Sequence, residues 1–90
     1  MLDIRLGKVA QRFLRRLPPK QFGQIDRKIL SLRKEPYPPD CRPLSGFPYF
    51  RVDSGEYRIV YIKQDNLLDI PLIGKRNDDE VYRQLKRMNR

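Results

Sequence analysis

YFRVDSGEYRIVYIKQDNLLDIPLI, residues 49–73, carries three stretches rich in β-branched and aromatic residues: Tyr49 to Val52, Tyr57 to Lys63 and Leu67 to Ile73. Such residues fit a pleated, half-buried surface, and the breaks at Asp53-Ser54-Gly55 and Gln64-Asp65-Asn66 have the chemistry of tight turns. The reading is a three-stranded antiparallel meander. In its middle strand, Tyr57, Ile59 and Tyr61 share one face, and Arg58, Val60 and Ile62 share the other, by the two-residue repeat of a strand. Pro71 has no N–H for a ladder, so a bulge or an unpaired donor position is expected there.

Upstream, EPYPPDCRP (residues 35–43) holds four prolines and reads as an irregular, stiffened connection. Before it the periodicity is helical. Val9, Ala10, Phe13, Leu14 and Leu17 gather on one side of a first helix that Pro18 ends. Pro19 opens a second, with Phe22, Ile25, Ile29 and Leu32 as its apolar face. So short a connection implies an αα-hairpin. Leu2, Ile4 and Leu6 alternate with polar residues as a short first strand. Downstream, Asn77 is a natural N-cap, followed by Asp78, Asp79 and Glu80, for a helix reaching Arg87 with Val81, Leu85 and Met88 as its stripe. The expected fold is α+β, in one domain over residues 1–90: a small antiparallel sheet, made of the N-terminal strand plus the meander, with the αα-hairpin on one face and a short C-terminal helix.

Composition narrows the function. The 90 residues carry 20 Lys and Arg against 11 Asp and Glu, a formal charge of +9, with an isoelectric point near 10.1. Residues 1–35 hold ten basic and three acidic side chains, 36–72 four and five, and 73–90 six and three. A field concentrated in this way favours a polyanion partner. Arg15, Arg16, Lys20, Arg27, Lys28, Arg33 and Lys34 on the helical hairpin are candidates to contact such a partner, whether RNA, DNA or an acidic protein segment. Cys41, the only cysteine, cannot form an internal disulfide, and with no histidine to activate its thiol it is given no role. No metal site, no cofactor and no membrane span are expected. The opening residues MLDIRLGK lack the apolar run of a signal peptide, so the cytoplasm is the expected compartment.

The absence of histidine also removes the commonest neutral-pH acid and base. What stands out instead is a set of cations tied to the sheet: Arg51, Arg58, and Lys75-Arg76 directly after the last strand. Arginine's planar fork binds phosphate through paired hydrogen bonds and keeps its charge, so a convergence of these groups would clamp a phosphate. The bland reading is that they pair with Asp53, Glu56 or Asp69 on a solvated face.

The run from Pro43 to Tyr82 resembles the core of RelE-family toxins of type II toxin-antitoxin systems. The matching pieces are an L-x-G segment, R-V-x-S-G-x-Y-R-I-V-Y, and G-K-R-x-D-x-x-V-Y. Upstream, F-L-R-R-L-P and L-x-K-E-P are similar to the family's first half. The resemblance implies an mRNA interferase: a metal-independent endoribonuclease that cuts messenger RNA in the A site of the 70S ribosome and is silenced by a cognate antitoxin. DNA would be touched only indirectly, through the antitoxin complex. By position, Arg51, Arg58, Arg76 and Tyr82 are the candidate catalytic residues, while Tyr49 and Lys75 join the helical cations as candidate RNA contacts. Tyr49 stands where the family usually has a lysine that is a candidate general base, which leaves the proton acceptor open. A phenol is a weak base, so Tyr82 suits stacking or orientation better. Alternatives are a ParE-like protein that inhibits DNA gyrase without cutting RNA, and a catalytically inactive RNA-binding relative.

Overall fold

The computed structural model describes residues 1–77 and 80–88, and the three β-rich stretches form its central sheet. The element order is β1 (Asp3–Leu6), α1 (Lys8–Arg15), α2 (Pro19–Lys34), β2 (Arg42–Pro43), β3 (Phe50–Ser54), β4 (Tyr57–Gln64), β5 (Leu67–Lys75) and α3 (Glu80–Met88). The strands lie in the order β1-β5-β4-β3-β2. β3, β4 and β5 are consecutive antiparallel neighbours, as the turn chemistry requires. The first hairpin turns at Gly55, whose φ of 60° is left-handed backbone that suits a residue without Cβ.

Two pairings depart from the sequence expectation. β1 runs parallel to β5, with Ile4 opposite Leu68 and Leu6 opposite Ile70, so the sheet is mixed and not wholly antiparallel. No hairpin connects these strands, and sixty residues lie between them, so no turn dictates their relative direction. Within the proline-rich connection, Arg42 and Pro43 form a two-residue edge strand against Phe50 and Arg51. Edge position is where proline is tolerated in a sheet.

The β4–β5 ladder slips between Val60 and Ile62: Val60 faces Leu72, and Ile62 faces Asp69. The extra β5 residue sits at Ile70-Pro71, the bulge anticipated from Pro71. Its effect is to change parity, so that Leu68, Ile70 and Ile73 all reach one core while Leu72 reaches another. Gly7 runs tight against this bulge. Its N–H donates to the Ile70 carbonyl at 2.9 Å, and a Cβ on it would stand 3.0 Å from the Pro71 oxygen.

Each face of the sheet has its own core. On the first, Val52, Ile59, Tyr61, Leu68, Ile70 and Ile73 pack against Ala10 and Leu14 of α1 and Ile25, Ile29 and Leu32 of α2. Both helices therefore cover one face, as expected, although Phe22 is 43% exposed and does not join the core. Tyr61 is fully buried, and its hydroxyl donates to the Pro36 carbonyl at 2.7 Å, pinning the proline-rich connection to the sheet. On the second face, Val60 and Leu72 pack with Leu44 and with Val81 and Leu85 of α3, while Met88 stays exposed. The last helix runs Glu80–Met88, and Asp78 and Asp79, the acidic residues expected after Asn77, lie outside the described residues. Among the described residues no helix is long and apolar enough to cross a membrane.

Candidate nucleic-acid interface

Arg51 lies directly opposite Val60 in the β3–β4 ladder. Directly opposed residues share a face, and Val60 belongs to the second core, so Arg51 rises from the α3 side of the sheet. Its side chain is half-buried, and its Nε is shut off from solvent without a hydrogen-bond partner among the described residues. Arg58, two residues before Val60 on β4, shares that face. It stands between Asp53 on β3 and Gly74 on β5. Arg51 and Arg58 are thus diagonal neighbours, with Cα atoms roughly 7–8 Å apart by the geometry of antiparallel pairs.

Arg58 is engaged. Its Nε donates to Oδ1 of Asp53 at 2.9 Å, with the two side chains 15% and 35% exposed. This single-pronged contact leaves the outer guanidinium nitrogens with no protein partner among the described residues. On the other flank, a Cβ at Gly74 would meet nothing within 4 Å, so an open slot adjoins Arg58.

Arg76 is exposed beyond the end of β5, and its backbone N–H donates to the Glu56 carbonyl at 3.0 Å. That bond holds it at the β3–β4 turn, the end of the sheet nearest Arg58. Tyr82 is half-buried on α3, packed against the second core. It lines an open concavity with Ser45, Gly46, Phe47, Arg83 and Lys86, toward the loop that precedes β3. Tyr49 packs against the same core, with its carbonyl accepting from the Leu44 N–H at 2.9 Å.

The other candidate contacts divide. Lys75 faces Tyr57, a residue of the first core, so alternation turns it away from Arg58. Arg15, Lys20, Arg27 and Lys34 are exposed on the helical layer, across the sheet from Arg51 and Arg58, whereas Arg16, also exposed, lines a concavity at the β5 edge with Gly74, Glu80 and Gln84. Lys28 is tied to Asp40 at 2.8 Å, and the hydrogen bond from its ammonium holds the Asp40 carboxyl below the ordinary range. Arg33 donates from Nε to the Leu2 carbonyl at 2.7 Å and so clips α2 to the start of β1. Most of the basic helical surface is therefore separate from the arginine face, and Arg16 stands at the β5 edge between them.

Gly74 was not singled out from sequence, and Asp53 was named there only as one of three carboxylates that could pair with the strand arginines, which for Arg58 it does. A two-residue turn at Gly55-Glu56 pairs Ser54 with Tyr57 and hence Asp53 with Arg58. Placing Gly74 opposite Arg58 needed the bulge to be located to the residue.

No model of a known protein family matches the chain, and no curated protein matches its sequence. Solved structures do. A chain of the toxin–antitoxin complex RelBE2 from Mycobacterium tuberculosis superposes with a TM-score of 0.72 at 25% identity, over 83% of this chain and 98% of that one. The isolated RelE toxin of E. coli gives 0.72 at 22% identity, over 98% and 99%. An arginine-to-alanine double mutant of that toxin in the free state gives 0.74 at 24% identity, over 96% of each chain. The chain therefore has the fold of the RelE toxins. The likeness to the E. coli toxin runs through nearly the whole of both chains, from the first strand to the last helix.

Proposed function

We propose that this protein is a RelE-type toxin, an mRNA interferase acting on ribosome-bound message. The observation that carries the reading is the arginine face: Arg51 and Arg58 diagonal on adjacent strands, with Arg76 held at the same end of the sheet as Arg58. In the proposed reaction the 2′-hydroxyl of the nucleotide at the cut attacks the adjacent phosphorus. The 5′-oxygen leaves, and a cyclic phosphate remains. Negative charge builds on the phosphoryl oxygens, and guanidinium groups fixed before the reaction stabilise it without reorganising. The outer nitrogens of Arg58 and the open slot beside Gly74 suit an incoming phosphate. Tyr82 stacks on or orients a base from the α3 side. The exposed cations Arg15, Lys20, Arg27 and Lys34 supply a second basic surface, which suits the phosphate backbone of ribosomal RNA.

The partner that silences the toxin is a cognate antitoxin, in line with the toxin–antitoxin complexes among the structural neighbours. It covers the arginine face or displaces α3 with Tyr82. The compartment is the cytoplasm, where ribosomes are. The test is expression in cells followed by mapping of message ends. The expected result is arrested translation with cuts inside codons of ribosome-bound messages, lost in Arg76→Ala. Continued protein synthesis alongside supercoiling-defective DNA would instead indicate the gyrase-directed, ParE-like reading.

A further inference from the structure

The geometry points to Asp53 as the proton acceptor for the attacking 2′-hydroxyl. This inference rests on the ribonuclease reading above, which needs a base that the chain does not supply in the usual way. There is no histidine, and Tyr49 stands where the family resemblance leads one to look for a lysine. The lysines of the central strands do not serve. Lys63 is opposite Leu68 and Lys75 is opposite Tyr57, so both belong to the helix-covered face.

Among carboxylates, Glu80 accepts from Gln84 with one oxygen and from Arg83 with the other, along α3. Asp69 lies beyond the bulge, opposite Ile62, at the far end of the ladder from Arg58. Asp53 is different on every count. It shares the arginine face with Arg51, two residues before it on β3, and stands directly opposite Arg58. Only its Oδ1 is used, as the acceptor from Arg58 Nε at 2.9 Å. Oδ2 has no hydrogen-bond partner among the described residues, and the side chain is 35% exposed. A carboxylate fixed through one oxygen, with the other presented to solvent beside two phosphate-binding groups, has the arrangement of a general base oriented by a third residue.

The step balances. The proton of the 2′-hydroxyl passes to Oδ2 of Asp53 as the O2′–P bond forms. The P–O5′ bond breaks, the departing oxygen takes a proton from water, and Asp53 later returns its proton to solvent. As negative charge moves from the carboxylate to the phosphoryl oxygens, Arg58 stays within reach of both. The pair then acts as one unit, and Arg58 is not merely neutralised by its neighbour.

The experiment is single-turnover cleavage of a ribosome-bound message by the wild type, Asp53→Asn and Asp53→Ala, with and without added formate. Asp53→Asn keeps an oxygen for Arg58 Nε and nearly the same shape, so it isolates proton acceptance from tethering. The expected result is a loss of about a hundredfold or more in both variants, the range of a missing general base, with formate restoring part of the rate to Asp53→Ala. An Asp53→Asn rate within about threefold of the wild type would overturn the assignment and leave Asp53 as a tether only. A wild type that makes no cuts would overturn the ribonuclease reading itself, and this inference with it.

Discussion

Replacing Arg51 with methionine separates what this residue does for folding from what it does for RNA. Its Nε is buried with no partner among the described residues. An N–H left unpaired in this way costs about 1–3 kcal/mol, and the half-exposed side chain puts Arg51 at the lower end of that range. Methionine keeps an unbranched apolar stem for its neighbours and removes the unpaired donor. The expected outcome is a gain of about 1 kcal/mol. Unfolding entropy near 2.1 cal/mol/K per residue gives about 0.19 kcal/mol/K for a 90-residue chain. The gain therefore raises Tm by about 5 °C. Over the same substitution, message cleavage should fall by about a hundredfold, the effect of removing one fixed donor from the developing charge. Urea titration with an unchanged m-value reads the first quantity, and single-turnover cleavage reads the second. A methionine variant that loses 1 kcal/mol or more would show Arg51 to be a structural residue, and one that gains stability with cleavage intact would remove it from the site.

Three further outcomes follow from particular contacts. Tyr61→Phe strands the Pro36 carbonyl and should cost about 1–2 kcal/mol by denaturant titration. Burial also lifts the Tyr61 phenol above its ordinary value near 10. Stability is then complete below about pH 10 and falls through the alkaline range, where the unfolded chain loses the proton first, by about 1.4 kcal/mol per pH unit for one group; Tyr61→Phe should lack this component. Leu85→Ala removes one of the two fully buried anchors of α3 and should cost about 2 kcal/mol or more, with amide-exchange protection lost across α3 before β4; uniform loss would refute a separable helix. Arg33→Met should cost about 1.5–3 kcal/mol by breaking the clip to Leu2, yet leave the cleavage rate of folded protein unchanged, whereas a role in RNA binding would lower that rate.

Much of the architecture was legible because it is written locally. The period-two runs, the helical stripes of Ala10 and Leu14 and of Ile25, Ile29 and Leu32, and the bulge at Pro71 all follow from residues within a few positions of one another. Phe22 has the spacing of the second stripe but sits outside the core, since periodicity marks a helix face and not how far a neighbour extends over it. The site was half legible. Alternation alone separated Arg58 from the tyrosine row, while its engagement with Asp53 depended on the register of the turn between them.

By itself the sequence determined the helices, the meander, the basic charge and the lack of histidine, because propensity, periodicity and composition act over short distances or over none. Tertiary structure alone decided that β1 runs parallel to β5, that α3 covers the arginine face, that Lys75 turns away from it and that Arg58 holds Asp53. Each of these joins segments whose mutual position is set by packing two cores against one sheet. In a sheet, a shift of one residue carries every side chain of a strand to the other face.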